Sequence, residues 1–158
     1  ERLSTQHSAL ILDDVDFADY IQMLSEQYQN YEGSLVLQLP DDDRAMTIDK
    51  LRIRLLFANI INNAIRHGRN RPVTINVSFN AREAVLSITD EGEGIAAEHL
   101  KHVREPFYRV DNSRTRHTGG FGLGLYLCHL IAEAHRGRML IDSEPGKGTR
   151  VSIHLPLE

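Results

Sequence analysis

The stretch from Asp49 to Gly68 admits one regular structure. An aspartate at a helix start can accept a backbone N–H with its side chain, and glycine ends helices. Between the two, apolar residues recur at helical spacing, which predicts a long helix from Asp49 through about His67. Advancing about 100° per residue, Ile53, Phe57, Ile60, Ile61, Ala64 and Ile65 fall on one broad apolar face. Asn59, Asn62, Asn63, Arg66 and His67 gather on the other side, within an arc of about 140°. Asn59 and Asn63 are i and i+4, so their carboxamides stack along one edge. A neutral amide oxygen suits a Mg²⁺ that already carries phosphate oxygens, because it ligates without adding negative charge. The same face also reads as a solvated surface. Asparagine is a poor helix former, however, and three in five residues lower helix stability, a cost that argues for a purpose.

A helix with one apolar face needs a partner layer, and the rest of the chain offers strands. Ala9–Leu12 is a short apolar run. Asp16 reads as the N-cap of a helix carrying Phe17, Tyr20, Ile21, Leu24 and Tyr28 on one side and ending at Gly33. Ser34–Leu39 alternates as a strand up to Pro40. Val73–Phe79 and Ala84–Thr89 alternate as two strands around Asn80–Glu83, which reads as a hairpin. Gly122–His135 reads as a second long helix. Arg138–Ser143 and Thr149–Leu155 close the chain as strands, joined by the turn Glu144-Pro145-Gly146-Lys147-Gly148. Helices and strands that segregate this way predict an α+β fold, a two-layer α/β sandwich.

Composition narrows the function classes. The 158 residues suit one domain with a real core. A net charge of −4 excludes a nucleic-acid partner held by phosphate electrostatics. Cys128 is the one cysteine, so no internal disulfide exists, and its apolar neighbours predict a buried, inert thiol. No apolar run approaches the about eighteen residues of a membrane span, so the chain is read as not membrane-inserted.

Two glycine-rich segments carry further chemistry. Ser87-Ile88-Thr89-Asp90-Glu91-Gly92-Glu93-Gly94-Ile95 places an acid at a strand end, followed by alternating glycines. Glycines there let the backbone pass close to a flat ligand. An ionised Asp90 can accept a hydrogen bond from an exocyclic amine, which adenine has and guanine lacks at that position. The same pattern also resembles an acidic turn or part of a calcium loop, although the later ligand positions of an EF-hand are missing. Gly119-Gly120-Phe121-Gly122-Leu123-Gly124-Leu125 stands directly before an apolar helix. Free N–H groups and the helix dipole at such a start favour phosphate. The segment is neither the G-x-x-x-x-G-K-[ST] loop nor a dinucleotide fingerprint, since no Lys-Ser or Lys-Thr follows and no strand precedes it.

Between these segments lies Glu105-Pro106-Phe107-Tyr108-Arg109, then Arg114, Arg116 and His117. An irregular stretch of this length is a functional lid or a disordered segment. Arg109 and Arg114 have the charge to clamp triphosphate oxygens. Arg116 and His117 read better as part of a solvated basic loop. His99 and His102 are spaced H-x-x-H, but no third ligand stands nearby, so they read as surface histidines.

In this order the segments resemble the boxes of sensor histidine kinases. Asn59–His67 is similar to the N box, Asp90–Ile95 to the first glycine box, Glu105–Arg109 to the phenylalanine box and Gly119–Leu125 to the second glycine box. Gly146–Thr149, before a final strand ending Leu155-Pro156, is similar to the usual close of the domain. The match spans roughly residues 10–156. The resemblance implies a mixed β-sheet packed under helices with an ATP lid, the Bergerat-type fold shared with DNA gyrase, MutL and heat-shock chaperone ATPases. It implies residues 1–8 as the tail of a preceding dimerisation helix and 9–158 as the ATP-binding domain.

The resemblance also implies roles. Asn63 would hold Mg²⁺, Asp90 would read the adenine amine, and Thr149 would support Asp90 through water. Arg66 and Arg109 would meet phosphates. Gly119, Gly120, Phe121, Gly122, Leu123, Gly124 and Leu125 would wrap the triphosphate under the lid. Asn59, His67, Gly92, Gly94, Ile95, Phe107, Tyr108 and Arg114 complete the expected nucleotide site, with Asn59, Asn63 and Arg109 as its catalytic members. Many relatives carry tyrosine where His67 stands; a histidine can stack there too, and its protonation would make nucleotide affinity mildly pH-dependent.

Hydrolysing relatives place a glutamate four residues before the Mg²⁺ asparagine. Here that position is Asn59, and an amide has no basicity near neutral pH to activate water. The resemblance therefore implies a kinase that keeps the γ-phosphoryl for an incoming imidazole, with in-line positioning and charge neutralisation as its means. No histidine of the chain stands in the context of an acceptor site. The implied partners are a histidine-bearing dimerisation domain of the same protein and a response regulator, within a homodimeric, inner-membrane sensor whose ATP-binding domain is cytoplasmic.

Overall fold

The computed structural model of the chain describes residues 9–100 and 123–157. Its centre is a five-stranded sheet in the order β2-β4-β5-β7-β6, from strands β2 (Leu35–Gln38), β4 (Val73–Phe79), β5 (Glu83–Asp90), β6 (Arg138–Glu144) and β7 (Gly148–Pro156). β2 runs parallel to β4 and every other pair is antiparallel, so the sheet is mixed. A separate two-stranded sheet pairs β1 (Asp13–Asp16) with β3 (Ala45–Ile48). The helices are α1 (Phe17–Ser25), α2 (Lys50–His67), α3 (Ala97–Leu100) and α4 (Leu123–Ala134).

Strand alternation places one face of the sheet under the helices. Val73, Ile75 and Val77 of β4, Ala84, Leu86 and Ile88 of β5, and Val151, Ile153 and Leu155 of β7 point inward and are buried. They meet Phe57, Ile60, Ile61 and Ala64 of α2 and Leu125, Cys128, Ile131 and Ala132 of α4 in one cluster. Each fully buried Phe, Ile or Leu contributes about 1.5–3 kcal/mol relative to an exposed one. The other face is open. There Ser87 meets Ser152 at 3.0 Å, and Arg138 and His154 hold Glu83 at 2.7 and 3.2 Å. The expected two-layer α+β sandwich is present, with a mixed sheet under helices.

Asp49 caps α2 as expected, accepting the Arg52 N–H at 3.1 Å. It also accepts the Ile11 N–H at 3.0 Å and pairs with the Arg52 guanidinium. Burial alone would raise its pKa, but these hydrogen bonds outweigh burial and hold it below the ordinary carboxylate value. The Asp49 N–H donates to His135 Nε2 at 3.1 Å, while His135 Nδ1–H reaches the Ile131 carbonyl at 3.0 Å. A single neutral tautomer thus ties the end of α4 to the start of α2. Cys128 also joins the two helices, its thiol 3.5 Å from the Leu56 carbonyl and its pKa pushed up by burial to about 12. That is the inert thiol its neighbours predict.

Two local expectations differ from the structure. Asp16 precedes α1 but makes no side-chain cap; the carboxylate of Asp43 takes the Ala18 and Asp19 N–H groups instead, at 2.8 and 3.0 Å. The helix itself stops at Ser25, and a 3₁₀ turn covers Glu26–Tyr28. Strands β1 and β3, absent from the sequence reading, form through pairing with each other. Among the described residues no helix is long and apolar enough to cross a membrane.

Candidate functional site

The inward stripes of three adjacent strands change from apolar to polar at one end of the sheet. After Ala84, Leu86 and Ile88, β5 ends in Asp90; before Val151, Ile153 and Leu155, the inward stripe of β7 starts at Thr149; after Met139 and Ile141, β6 reaches Ser143. Asp90 stands opposite Thr149 and Thr149 opposite Ser143, so the three side chains form a row across the covered face.

Asp90 is 7% exposed. Its carboxylate accepts the Gly92 N–H at 2.8 Å and a backbone hydrogen bond from Thr149. Burial raises its pKa above the ordinary value; the two N–H groups and the His67 ring pull it back only in part, and Glu93 pushes it further up. The row continues through Ser143, whose hydroxyl lies 2.7 Å from the Ile95 N–H, 2.9 Å from the Gly148 carbonyl and 2.8 Å from the Thr149 hydroxyl.

The loop after β5 explains its glycines by backbone contact. A Cβ on Gly92 would overlap the carbonyl oxygen of His67, at the end of α2. A Cβ on Gly94, whose φ is +76°, would overlap the carbonyl of Glu144 in the β6–β7 turn. The Gly146 N–H of that turn donates back to Glu93 at 2.7 Å. The loop is therefore wedged between the end of α2 and the β6–β7 turn, and both glycines make room for protein backbone. Ile95 then turns into the core at 1% exposure.

On α2, Asn63 is 9% exposed and lies at the edge of the buried stripe, beside Leu56 and Ile60 in the helical projection. Asn59 donates its amide to the Leu55 carbonyl at 2.9 Å, and its Oδ1 is the nearest atom, at 3.2 Å, to a Cβ placed on Gly124. Asn59 Oδ1 thus lies against the first turn of α4. Asn62 hydrogen-bonds the Tyr28 hydroxyl, which gives this asparagine a structural partner. His67 is half-buried with Nδ1 3.4 Å from Glu93 Oε2, and Arg66 is exposed. Leu125 is buried in the core, so its share in any site is packing.

Asn59, Asn63, His67, Asp90, Gly92, Gly94, Thr149 and the start of α4 are thereby linked through adjoining elements. Phe107, Tyr108, Arg109, Arg114, Gly119, Gly120, Phe121 and Gly122 lie outside the described residues, as do residues 1–8 and Arg116 and His117. The sequence reading missed Ser143, although period-two alternation from Met139 and Ile141 turns it to the covered face. It also missed Tyr31, whose pKa is raised by burial and by the charge of Asp90, and whose hydroxyl donates to the Arg71 carbonyl at 2.6 Å. No periodic signal marks Tyr31.

Among the described residues no group of three or more His, Cys, Asp or Glu stands ready to cage a metal ion. The donors present, neutral amides beside a helix start, fit a hard cation that keeps water and phosphate oxygens as most of its ligands.

Comparison with known proteins agrees with this architecture. Residues 48–158 match the family described as histidine kinase-, DNA gyrase B- and HSP90-like ATPases. The chain is 38% identical over 141 residues to the sensor histidine kinase WalK of Bacillus subtilis, covering 87% of this chain and 22% of that protein. It is 43% identical over 114 residues to the sensor protein SrrB of Staphylococcus aureus, covering 72% of this chain and 20% of that one. The chain thus spans about a fifth of the length of these curated relatives. In fold it is similar to the Acinetobacter baumannii histidine kinase AdeS, with a TM-score of 0.75 at 23% identity, covering 99% of this chain and 73% of that one. A nucleotide-free catalytic domain of the histidine kinase ThkA gives 0.80 at 19% identity, covering 94% and 97%. The chain belongs to the family of histidine kinase-, DNA gyrase B- and HSP90-like ATPases, as an ATP-binding domain.

Proposed function

We propose that this domain binds Mg-ATP and donates the γ-phosphoryl group to a histidine on a separate dimerisation domain of a sensor histidine kinase, for relay to a response regulator. The observation that carries the kinase reading is Asn59. Its amide nitrogen is held by the Leu55 carbonyl, its oxygen lies by the start of α4, and neither atom has the basicity to activate water. Phosphate-transfer chemistry here reduces to holding charge and geometry.

In this reading Asp90 accepts a hydrogen bond from the adenine amine, with Thr149 supporting it through water. Asn63 ligates Mg²⁺, which supplies charge neutralisation on the phosphates. Free N–H groups at the start of α4 receive phosphate oxygens. Arg66, Arg109 and Arg114 add positive charge, with Phe107 and Tyr108 in the lid, and His67 lies beside the purine. The parent is a homodimeric sensor anchored in the inner membrane with this domain in the cytoplasm.

The test supplies a histidine-bearing dimerisation domain in trans with γ-labelled ATP. Label is expected on that domain and not on this chain, with little free phosphate. Stable label on the isolated chain, or rapid phosphate release without transfer, would contradict the proposal. Asn59→Glu is expected to raise phosphate release by restoring a carboxylate where hydrolysing relatives carry one.

A further inference from the structure

Ser143 makes more hydrogen bonds than a half-buried strand serine needs, and their directions are constrained. A hydroxyl has one proton and two lone pairs. The Gly148 carbonyl, 2.9 Å away, can only accept, and the Ile95 N–H, 2.7 Å away, can only donate. The serine proton therefore goes to Gly148, one lone pair takes Ile95, and the other is left for Thr149, 2.8 Å away. The Thr149 hydroxyl must then donate to Ser143, and the side of its oxygen turned away from Ser143 carries lone pairs only. Thr149 stands opposite Asp90 in the ladder, and both side chains are nearly buried on the covered face. The geometry points to Ser143 as a positioning residue for purine selection: by fixing the Thr149 proton away from Asp90, it makes this edge of the site an array of acceptors.

Such an edge welcomes a group with two N–H donors, or a water bridging from one, and opposes a carbonyl oxygen. A 6-amino purine satisfies it. A 6-oxo purine places a third acceptor against two others, and an unpaired buried acceptor is costly. Without Ser143 the Thr149 hydroxyl is free to turn and donate to a 6-oxo group, so part of the discrimination should vanish. The inference rests on the proposed reading of the adenine amine by Asp90.

The experiment measures calorimetric Kd values of the 158-residue chain for Mg-ATP and Mg-ITP, whose purine differs at position 6. Wild type is expected to favour ATP. Ser143→Ala should narrow the ITP/ATP ratio by about 3–10-fold, the worth of one neutral hydrogen bond. Ser143→Thr, which restores the hydroxyl, should return the ratio to the wild-type value. A purely structural role would weaken both nucleotides alike and leave the ratio fixed; that result overturns the inference. If Ser143→Ala does not fold, Ser143→Cys removes the strong hydrogen bonds at similar size and should narrow the ratio in the same way. Wild type with equal affinity for the two nucleotides would overturn the adenine reading itself, an outcome distinct from a ratio that Ser143 does not control.

Discussion

Strand β5 carries two carboxylates, one at each end and on opposite faces of the sheet, and they behave in opposite ways. Glu83 sits on the open face between Arg138 and His154. Burial pushes its pKa up, but His154 and Arg138 together outweigh burial and hold it below the ordinary value. Asp90 sits on the covered face, and its pKa is raised because burial exceeds what two backbone N–H groups and a nearby histidine return. A carboxylate already paired with side chains of its own sheet has little left to offer a ligand. One that is buried and only partly compensated gains from an incoming donor, and such groups gather at functional sites. The comparison separates a residue that ties strands of the sheet together from the one proposed to recognise the purine.

The largest effect that would break this contrast is at Asp90. Asp90→Asn should weaken ATP binding by about 10–100-fold, the range of a hydrogen bond to a charged acceptor. Its melting temperature should change little, because the aspartate's charge is disfavoured by burial. Glu83→Gln should do the reverse, leaving the ATP Kd unchanged and costing below about 1 kcal/mol of stability, since Arg138 is largely exposed and screened. Calorimetry and thermal melts on the two variants measure both. Equal loss of affinity in both would erase the distinction.

Acid separates the pair further. The folded pKa of Glu83 is depressed, so its contribution is present above the unfolded value and is lost as pH falls through the folded one. The folded pKa of Asp90 is raised, so folding gains as pH falls toward the unfolded value, while ATP affinity falls because the acceptor becomes protonated. Affinity should therefore begin to drop at a higher pH than an ordinary aspartate would dictate.

The smallest effect concerns His135, away from the nucleotide. Burial lowers its pKa below the ordinary value of 6.5, against the pull of its bond to Ile131 and the charge of Asp49, while Arg52 lowers it further. The folded state then binds this proton less readily than the unfolded state, so stability declines as pH falls below about 6.5. His135→Gln can keep the bond from the Asp49 N–H without titrating. Its melting temperature should change less between pH 7.5 and 5.5 than that of the wild type.

The two ends of β5 also mark what was legible beforehand. Helix α2 was readable almost to the residue because its cap, its period and its stop are all local. The strands from Val73 to Thr89 were readable for the same reason, and Asn80 confirms the turn by accepting the Arg82 and Glu83 N–H groups at 2.8 Å each. Strand β1, Asp13-Asp14-Val15-Asp16, has no apolar alternation and exists through its pairing with β3, which no local pattern reveals. The cap of α1 comes from Asp43, 25 residues on from Ala18, for the same reason. In the site, Asp90 was visible as an acid at a strand end and Asn63 as an amide on the polar side of a helix. Ser143 was not, because its meaning lies in the register of three strands. Gly92 and Gly94 were visible as a glycine pattern, but their close approach to the His67 and Glu144 backbone was not, because those neighbours are distant in the chain.

The most direct measurement is calorimetry of the wild-type chain with ATP and with GTP, in the presence and absence of Mg²⁺. The account predicts Mg²⁺-dependent binding of ATP and binding of GTP at least tenfold weaker, since GTP brings a carbonyl to the acceptor row headed by Asp90. Equal affinity for the two purines, or binding of neither, would contradict it.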